Sequence, residues 1–381
     1  MMVVKDSELL TKAHRLVVKV GTSTLTYSTG KLNLFQLERL VREIADLRHR
    51  GLEIVLVTSG AIGAGMGKMG LVEKPKSMPE KQALAAIGQG ILMHMYEKLF
   101  GEYGEVVAQV LLTRDDVTHR ERYLNARNTL LALFRLGAIP IINENDTVVV
   151  EEIKFGENDT LSALVAGLAD ADLLVLLSDI DGLYTADPHK DASACLIPLV
   201  KKITPEIEML AGPSGTKIAC GGMATKINAA KIATGYGIPM IVANGARHNV
   251  LREIVSGNNP GTLFLPGDHR NSSRKSWIAH ASKTKGTIWL DEGAQKAILE
   301  KGKSLLPSGI TRIEGQFQRG HVVCIMGSSG EIGRGIVNYG SNELEKIKGR
   351  QSKEIAAVLG YKDEDEVIHR DNLSLTQPAV S

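Results

Sequence analysis

Apolar and polar positions along this chain switch between two periods, and the switching lays out an architecture. Leu16-Val17-Val18-Lys19-Val20 is an apolar run interrupted by one lysine and followed at once by Gly21-Thr22-Ser23. A run of this length ending in a glycine turn predicts a strand buried on both faces. Asn33 with Gln36 three residues on predicts a capping box, and Leu37, Leu40, Val41, Ile44 and Leu47 then recur at helical spacing until Gly51 closes the helix. A second buried strand, Glu53–Val57, runs into Thr58-Ser59-Gly60-Ala61-Ile62-Gly63-Ala64-Gly65. Strand, helix, strand and glycine-rich loop make a right-handed βαβ unit. The same alternation predicts helices over 80–100, 121–136, 160–168 and 224–236, and strands over 106–112, 138–142, 172–177 and 238–243. The expected fold class is α/β: a doubly wound, mainly parallel sheet with helices on both faces.

The period changes near Pro266. Residues 266–284 are polar and turn-rich, as a linker is, and leave a first domain over 1–265. Short apolar segments at Thr287–Leu290, 321–326 and 335–338 then alternate with glycine turns around one helix at 293–301. This predicts a small β-rich domain over 285–373, with a solvated charge run at 362–366 and a flexible tail over 374–381.

Composition narrows the class. With 381 residues, 43% hydrophobic and 23% charged, the chain has the make-up of an ordinary globular protein of two domains. A net charge of +2 neither demands nor excludes nucleic acid. Cys195, Cys220 and Cys324 are odd in number and far apart, which suits a reducing, cytoplasmic setting and no metal-ligand spacing. The opening residues lack the apolar core of a signal peptide, and no apolar run is long enough to cross a bilayer, so no membrane partner is expected.

Ligands of open parallel sheets bind beyond the carboxyl ends of the strands. The residues there are Lys19 to Ser23, Thr58 to Gly60, Asn143 to Asp146 and Ser178-Asp179. An ammonium inside an apolar strand needs a reason: Lys19 either reaches a bound anion or snorkels out at the strand edge. Ser59-Gly60 either offers amides to a carboxylate or is a glycine turn packed against its neighbours. Asn143-Glu144-Asn145-Asp146 and Gly156-Glu157-Asn158-Asp159-Thr160 form two acid and amide clusters flanking an expected hairpin at 148–155. Capping explains one of Asn158 and Asp159 but not both clusters, whose oxygens suit an ammonium group, a Mg²⁺ ion or the lysines themselves. Ser178-Asp179 follows a strand and fits the wall of a nucleotide site, whereas Asp187-Pro188 is a turn. Gly221-Gly222-Met223-Ala224-Thr225-Lys226 is either a phosphate-binding helix start with a lysine one turn in or a glycine hinge. No Walker A loop occurs, and no Ser-His-Asp or Cys-His arrangement stands out; His94, among apolar helix residues, is expected to be packed or interfacial rather than a ligand.

In order along the chain, Val17-Val18-Lys19-Val20-Gly21-Thr22-Ser23, Val57-Thr58-Ser59-Gly60-Ala61, Asn143-Glu144-Asn145-Asp146, Gly156-Glu157-Asn158-Asp159, Gly182-Leu183-Tyr184-Thr185-Ala186-Asp187-Pro188 and Gly221-Gly222-Met223-Ala224-Thr225-Lys226 resemble the amino acid kinase family. Asp291-Glu292-Gly293-Ala294, Ser304-Leu305-Leu306-Pro307 and Arg319-Gly320-His321-Val322-Val323 resemble a PUA domain. The pairing implies transfer of the ATP γ-phosphoryl group to the side-chain carboxylate of L-glutamate, on the way to proline. The resemblance further implies that Lys19 and Lys226 stabilise the moving phosphoryl group and that Asp159 orients them. Ser59, Asp146 and Asn158 would hold glutamate, and Lys19, Ser178, Asp179, Cys220, Gly221, Gly222, Met223, Ala224, Thr225 and Lys226 would hold ATP, with Mg²⁺ on its phosphates. Feedback inhibition by proline and a homo-oligomer, dimer or tetramer, are family expectations. In one departure, Ala219-Cys220 stand where the family usually has Gly-Thr, which bears on the nucleotide contacts there. RNA binding through the PUA-like domain is the competing reading, as is a kinase for another small carboxylate. From 285 to 381 there are 13 basic and 13 acidic residues, so the basic footprint that phosphate backbones require is missing.

Overall fold

The structure is a computed structural model that describes residues 3–27, 29, 31–71, 73, 75–118, 120–149, 158–188, 190–191, 193–210, 222–267, 284–328, 330–362 and 364–375. The chain divides into two compact units, one of Met1–Asp116 with Tyr123–Arg270 and one of Val117–Arg122 with Asn271–Ser381.

In the first unit the elements run α1 (Val3–Thr11), β1 (Arg15–Val20), α2 (Thr22–Leu25), α3 (Leu34–His49), β2 (Glu53–Val57), α4 (Ala61–Met69), α5 (Met78–Gly101) and β3 (Val107–Leu112). They continue with α6 (Arg114–Thr118) and α7 (Arg120–Arg135), whose residues Val117–Arg122 fall to the second unit, then β4 (Ile139–Glu144), α8 (Asn158–Leu168), β5 (Leu173–Ser178), β6 (Leu199–Val200), α9 (Pro205–Met209), α10 (Met223–Gly235), β7 (Met240–Asn244), α11 (Val250–Val255) and β8 (Thr262–Phe264). The sheet order is β3-β4-β2-β1-β5-β7-β8-β6, parallel throughout except where β8 lies antiparallel to β7. The chain places β2 beside β1, carries β3 out to the edge, fills the gap with β4, and then returns to place β5 on the other side of β1. The order therefore reverses at β1 and β5, where an open sheet leaves a crevice at its carboxyl edge.

β1 alternates cleanly between two buried faces. Leu16, Val18 and Val20 join a core with Leu37, Val41, Ile44 and Leu47 of α3. Val17 and Lys19 point to the opposite face by the period of two. On α8, every residue from Leu161 to Leu168 is buried, which is why its sequence shows no polar stripe. α4 and α5 cross at backbone distance: a Cβ on Gly88 would stand 1.7 Å from Ala61 O, and one on Gly65 would stand 2.1 Å from Leu84 O. Only glycine fits there, and the contact fixes α5 against the loop that leads from β2 into α4.

The expected capping box at α3 is half formed. Asn33 accepts from Gln36 N at 3.2 Å, but Asn33 N donates to Leu25 O at 2.8 Å, so the return bond has no free donor. Gly51 does end the helix, at φ +90° with its N–H on Arg48 O. His94 is exposed on α5 rather than packed. The hairpin expected at 148–155 lies outside the described residues but for its first two positions.

The second unit holds β9 (Thr287–Leu290), α12 (Glu292–Lys301), β10 (Ile310–Glu314), β11 (Val322–Gly327), β12 (Gly330–Ile336), α13 (Ser341–Ile347), α14 (Ile355–Leu359) and β13 (Leu373–Leu375). Its sheet runs β10-β9-β11-β12-β13, closed over a core that includes Ile288, Val323, Ile325, Val337, Tyr339 and Ile368. One expectation fails here. Ser374 and Leu375, placed in a flexible tail, pair with Arg334 and Gly333 of β12, because an open β12 edge is a row of unmet backbone donors and acceptors.

Candidate active site

At the carboxyl edge of the first sheet, the sequence switches from apolar strand residues to short polar ones. β1 ends into Gly21, β2 into Thr58-Ser59-Gly60, β4 carries Asn143 and Glu144 at its end, β5 ends in Ser178 and β7 in Asn244. Gly60 sits at φ +93° as the residue before α4, a conformation that costs other side chains dearly.

Lys19, one position before the end of β1, points to the α8 face, and α8 begins there with Asn158-Asp159. Asp159 is fully buried; its Oδ1 lies 2.5 Å from Lys19 Nζ and its Oδ2 lies 3.3 Å from Lys226 Nζ. Lys226 stands one turn into α10, and both lysines are themselves buried, at 7% and 5% exposure. Thr225 Oγ1 lies 2.9 Å from the same Asp159 Oδ2 and from Gly222 O. Burial pushes the Asp159 carboxyl up, but the Lys19 and Lys226 ammoniums, with hydrogen bonds from Lys19 and Thr225, outweigh it and hold the group below the usual carboxylate range. One carboxylate between two ammoniums leaves a local excess of one positive charge. Such a site attracts a polyanion.

Next to it, the side-chain nitrogen of Asn158 reaches Ser59 Oγ at 3.0 Å and Asn143 Oδ1 at 2.8 Å, and also bonds the carbonyl of Thr58. Asn143 in turn donates to Gln89 Oε1 at 2.8 Å and accepts from Glu144 N at 2.9 Å. Thr58 Oγ1 shares a 2.8 Å bond with the buried Tyr96 hydroxyl of α5. Asp146 is half-buried on the loop after β4 and lines a small pocket with Gln89, Glu144 and Thr147. At the end of β5, buried Ser178 donates to exposed Asp179 at 3.0 Å, and Asn244 donates to Asp181 at 3.0 Å.

The structure thus brings Lys19, Asp159, Thr225 and Lys226 to one point and Ser59 and Asn158 to another beside it. Ser178 and Asp179 line the same sheet edge, while Gly222, Met223 and Ala224 open α10. Cys220 and Gly221, with the Ala219-Cys220 departure, lie outside the described residues. Sequence reasoning missed Gln89 and the bond of Tyr96 to the Thr58 loop. The one available signal was Gly88-Gln89-Gly90, a polar residue between glycines in an otherwise apolar helix stretch.

The donor set does not fit a protein-held Mg²⁺. Among the described residues no cluster of three acidic, histidine or cysteine side chains exists, and the one fully buried carboxylate is already claimed by two ammoniums. No described helix is long and apolar enough to cross a membrane.

A doubly wound sheet with paired lysines at its reversal point defines a class, and the sequence comparisons agree with it: the chain belongs to the amino acid kinase family, whose pattern matches residues 14–244. A PUA domain matches residues 286–359. The relatives at high identity are glutamate 5-kinases. That of Moorella thermoacetica is 57% identical over 365 residues, 96% of this chain and 97% of that protein. That of Geobacter sulfurreducens is 51% identical over 368 residues, 96% of this chain and 99% of that protein. The solved UMP kinase of Bacillus anthracis overlies 67% of this chain and 97% of its own at 18% identity, with a TM-score of 0.46.

Proposed function

We propose that this chain transfers the γ-phosphoryl group of ATP to the side-chain carboxylate of L-glutamate, giving L-glutamyl 5-phosphate, the first step of proline biosynthesis. The observation that carries the reading is the Lys19–Asp159–Lys226 constellation in a chain 57% identical to a glutamate 5-kinase over nearly its full length.

The chemistry asks little covalent help. The acceptor carboxylate is ionised at neutral pH, so no general base is needed. Its oxygen forms a bond to Pγ while the bond from Pγ to the β,γ-bridging oxygen breaks, and the electron pair leaves with ADP. Charge accumulates on the equatorial and bridging oxygens, where Lys19 and Lys226 neutralise it from buried positions of low dielectric. Asp159 holds the two ammoniums in place against their mutual repulsion before ATP arrives, which is preorganisation rather than proton transfer. Ser59, Asp146 and Asn158 hold the glutamate; Ser178, Asp179 and the segment from Cys220 to Lys226 hold the nucleotide. Mg²⁺ bound by the nucleotide itself would supply further charge neutralisation on the phosphates, without a ligand set from the described residues.

The same reading takes residues 1–265 as the catalytic domain, 266–284 as a linker and 285–373 as the PUA domain, working in the cytoplasm as a homo-oligomer inhibited by proline. RNA binding is not favoured, given the even charge of residues 285–381. An ADP-release assay with L-glutamate, L-aspartate and N-acetyl-L-glutamate side by side tests the assignment. Turnover with L-glutamate at least tenfold above the other two is expected, and a preference for either competitor refutes it.

A further inference from the structure

Behind the Ser59 loop three carboxamides stand in line, and donor–acceptor parity leaves them one arrangement. The backbone N–H of Glu144 lies 2.9 Å from one arm of Asn143, so that arm is oxygen. The other arm is therefore nitrogen, and the Gln89 atom 2.8 Å from it is oxygen. The Asn158 arm 2.8 Å from Asn143 Oδ1 is nitrogen for the same reason, and it turns to Ser59 Oγ as well. Among the described residues, the side-chain bonds of Asn158 are thus made by its nitrogen, and its amide oxygen faces away from them. That oxygen is an acceptor suited to an ammonium group.

Gln89 is polar at one end for the sake of Asn143, whose buried nitrogen it accepts, and at its other end it has no such use. It is 91% shielded from solvent at 9% exposure, and among the described residues its Nε2 has no partner. A buried donor without an acceptor is a cost that leucine or methionine would avoid in the same space. Its place is not adjustable either: Gly88 beside it lies at backbone contact with Ala61, so α5 presents Gln89 at a set distance from the Ser59 loop. Gln89 also lines the small pocket shared with Asp146.

We propose that Gln89 is a positioning residue for the acceptor amino acid, holding the Asn143 carboxamide so that the amide oxygen of Asn158 is turned to the acceptor's ammonium group. This role rests on the phosphotransfer reading above. Gln89 touches neither substrate; it acts through Asn143.

The test is Gln89→Met, which keeps the volume and removes both polar ends. Its KM for L-glutamate is expected to rise about tenfold, the loss of roughly one buried hydrogen bond, with KM for ATP and kcat within about threefold of the parent. In an Asn143→Ala background the same substitution is expected to add nothing to KM, because its only route is gone. Gln89→Glu keeps an acceptor facing Asn143 and is expected to stay within about threefold of the parent KM. Should the methionine variant not fold, Gln89→Leu, which also removes both polar ends, takes its place with the same expected rise in KM for L-glutamate. A glutamate KM within twofold of the parent in Gln89→Met overturns the proposal, as does an equal rise in both KM values, a full additive effect in the Asn143→Ala background, or a Gln89→Glu defect as large as that of methionine. A parent enzyme that ignores L-glutamate refutes the phosphotransfer reading instead, so the two failures are distinct.

Discussion

Replacing Asp159 by asparagine keeps the shape of the side chain and removes the charge that two buried ammoniums share. At an effective dielectric constant of about 20, attraction at 2.5 Å and 3.3 Å is roughly 7 and 5 kcal/mol, before the cost of having desolvated all three groups is subtracted. That cost consumes most of the sum. Breaking a buried ion pair from one side typically destabilises by about 3–5 kcal/mol, because the remaining charge is left buried and unpaired. At about 2–4 °C per kcal/mol for a unit of this size, Asp159→Asn is expected to melt roughly 6–20 °C lower. With Lys19 and Lys226 repelling one another, kcat is expected to fall about 10²–10³-fold. The acid limb gives a second readout. The folded carboxyl lies below its ordinary value of 3.8, so its stabilisation is present above that pH and is lost as pH falls through the folded value. The gap in stability between parent and variant is therefore expected to stay constant from about pH 5 to 8 and to close only below about pH 4. Glutamate-dependent ADP release and thermal melts across pH measure both. A variant that keeps a tenth of parental kcat and melts within 2 °C of it would refute the reasoning, since Asp159 would then organise nothing.

Lys19→Ala and Lys226→Ala are each expected to lower kcat about 10²–10³-fold with unchanged circular dichroism; near-normal turnover in either would remove that lysine from the reaction. Gly88→Ala puts a methyl group 1.7 Å from Ala61 O and must part α5 from α4. Destabilisation of about 2–4 kcal/mol is expected, together with a raised KM for glutamate but not ATP, checked by urea melts and initial rates. Glu43, buried on α3 where it accepts from Asn249 N and Leu251 N, has its carboxyl pushed up by burial, against the hydrogen bonds and nearby cations that lower it. The folded state therefore holds that proton more tightly than the unfolded chain, and parental stability is expected to decline as pH rises from the ordinary value of 4.5 toward the raised one. Glu43→Gln should lack that decline; an unchanged slope would point to other groups.

Much of the first unit was readable because its strands are short and mostly apolar, and β1 and β2 run into glycine turns. β2 occupies Glu53–Val57 as the pattern says, and α8 starts two residues earlier than the apolar period suggests because Asn158 and Asp159 open it. Lys19 was conspicuous as a charge in an apolar strand. Gln89 was not, since a neutral amide among glycines and alanines on a helix has no charge to account for. The end of the second unit was misjudged for a related reason. Ser374-Leu375 looks like the start of a frayed tail by composition, and only the open β12 edge gives it a partner.

By itself the sequence determined the main elements, their parallel stacking and the oddity of Lys19, because periodicity and buried charge are local properties that any burial must respect; the role of Lys226 came from the family resemblance. Only the tertiary structure decided the 2.5 Å and 3.3 Å contacts by which Asp159 spans amines 207 positions apart in the chain, and that Asn143 and Asn158 face one way rather than the other. Convergence of distant side chains depends on strand order and helix crossing. Amide orientation depends on which donor lies opposite, and neither is written in the spacing of residues along the chain.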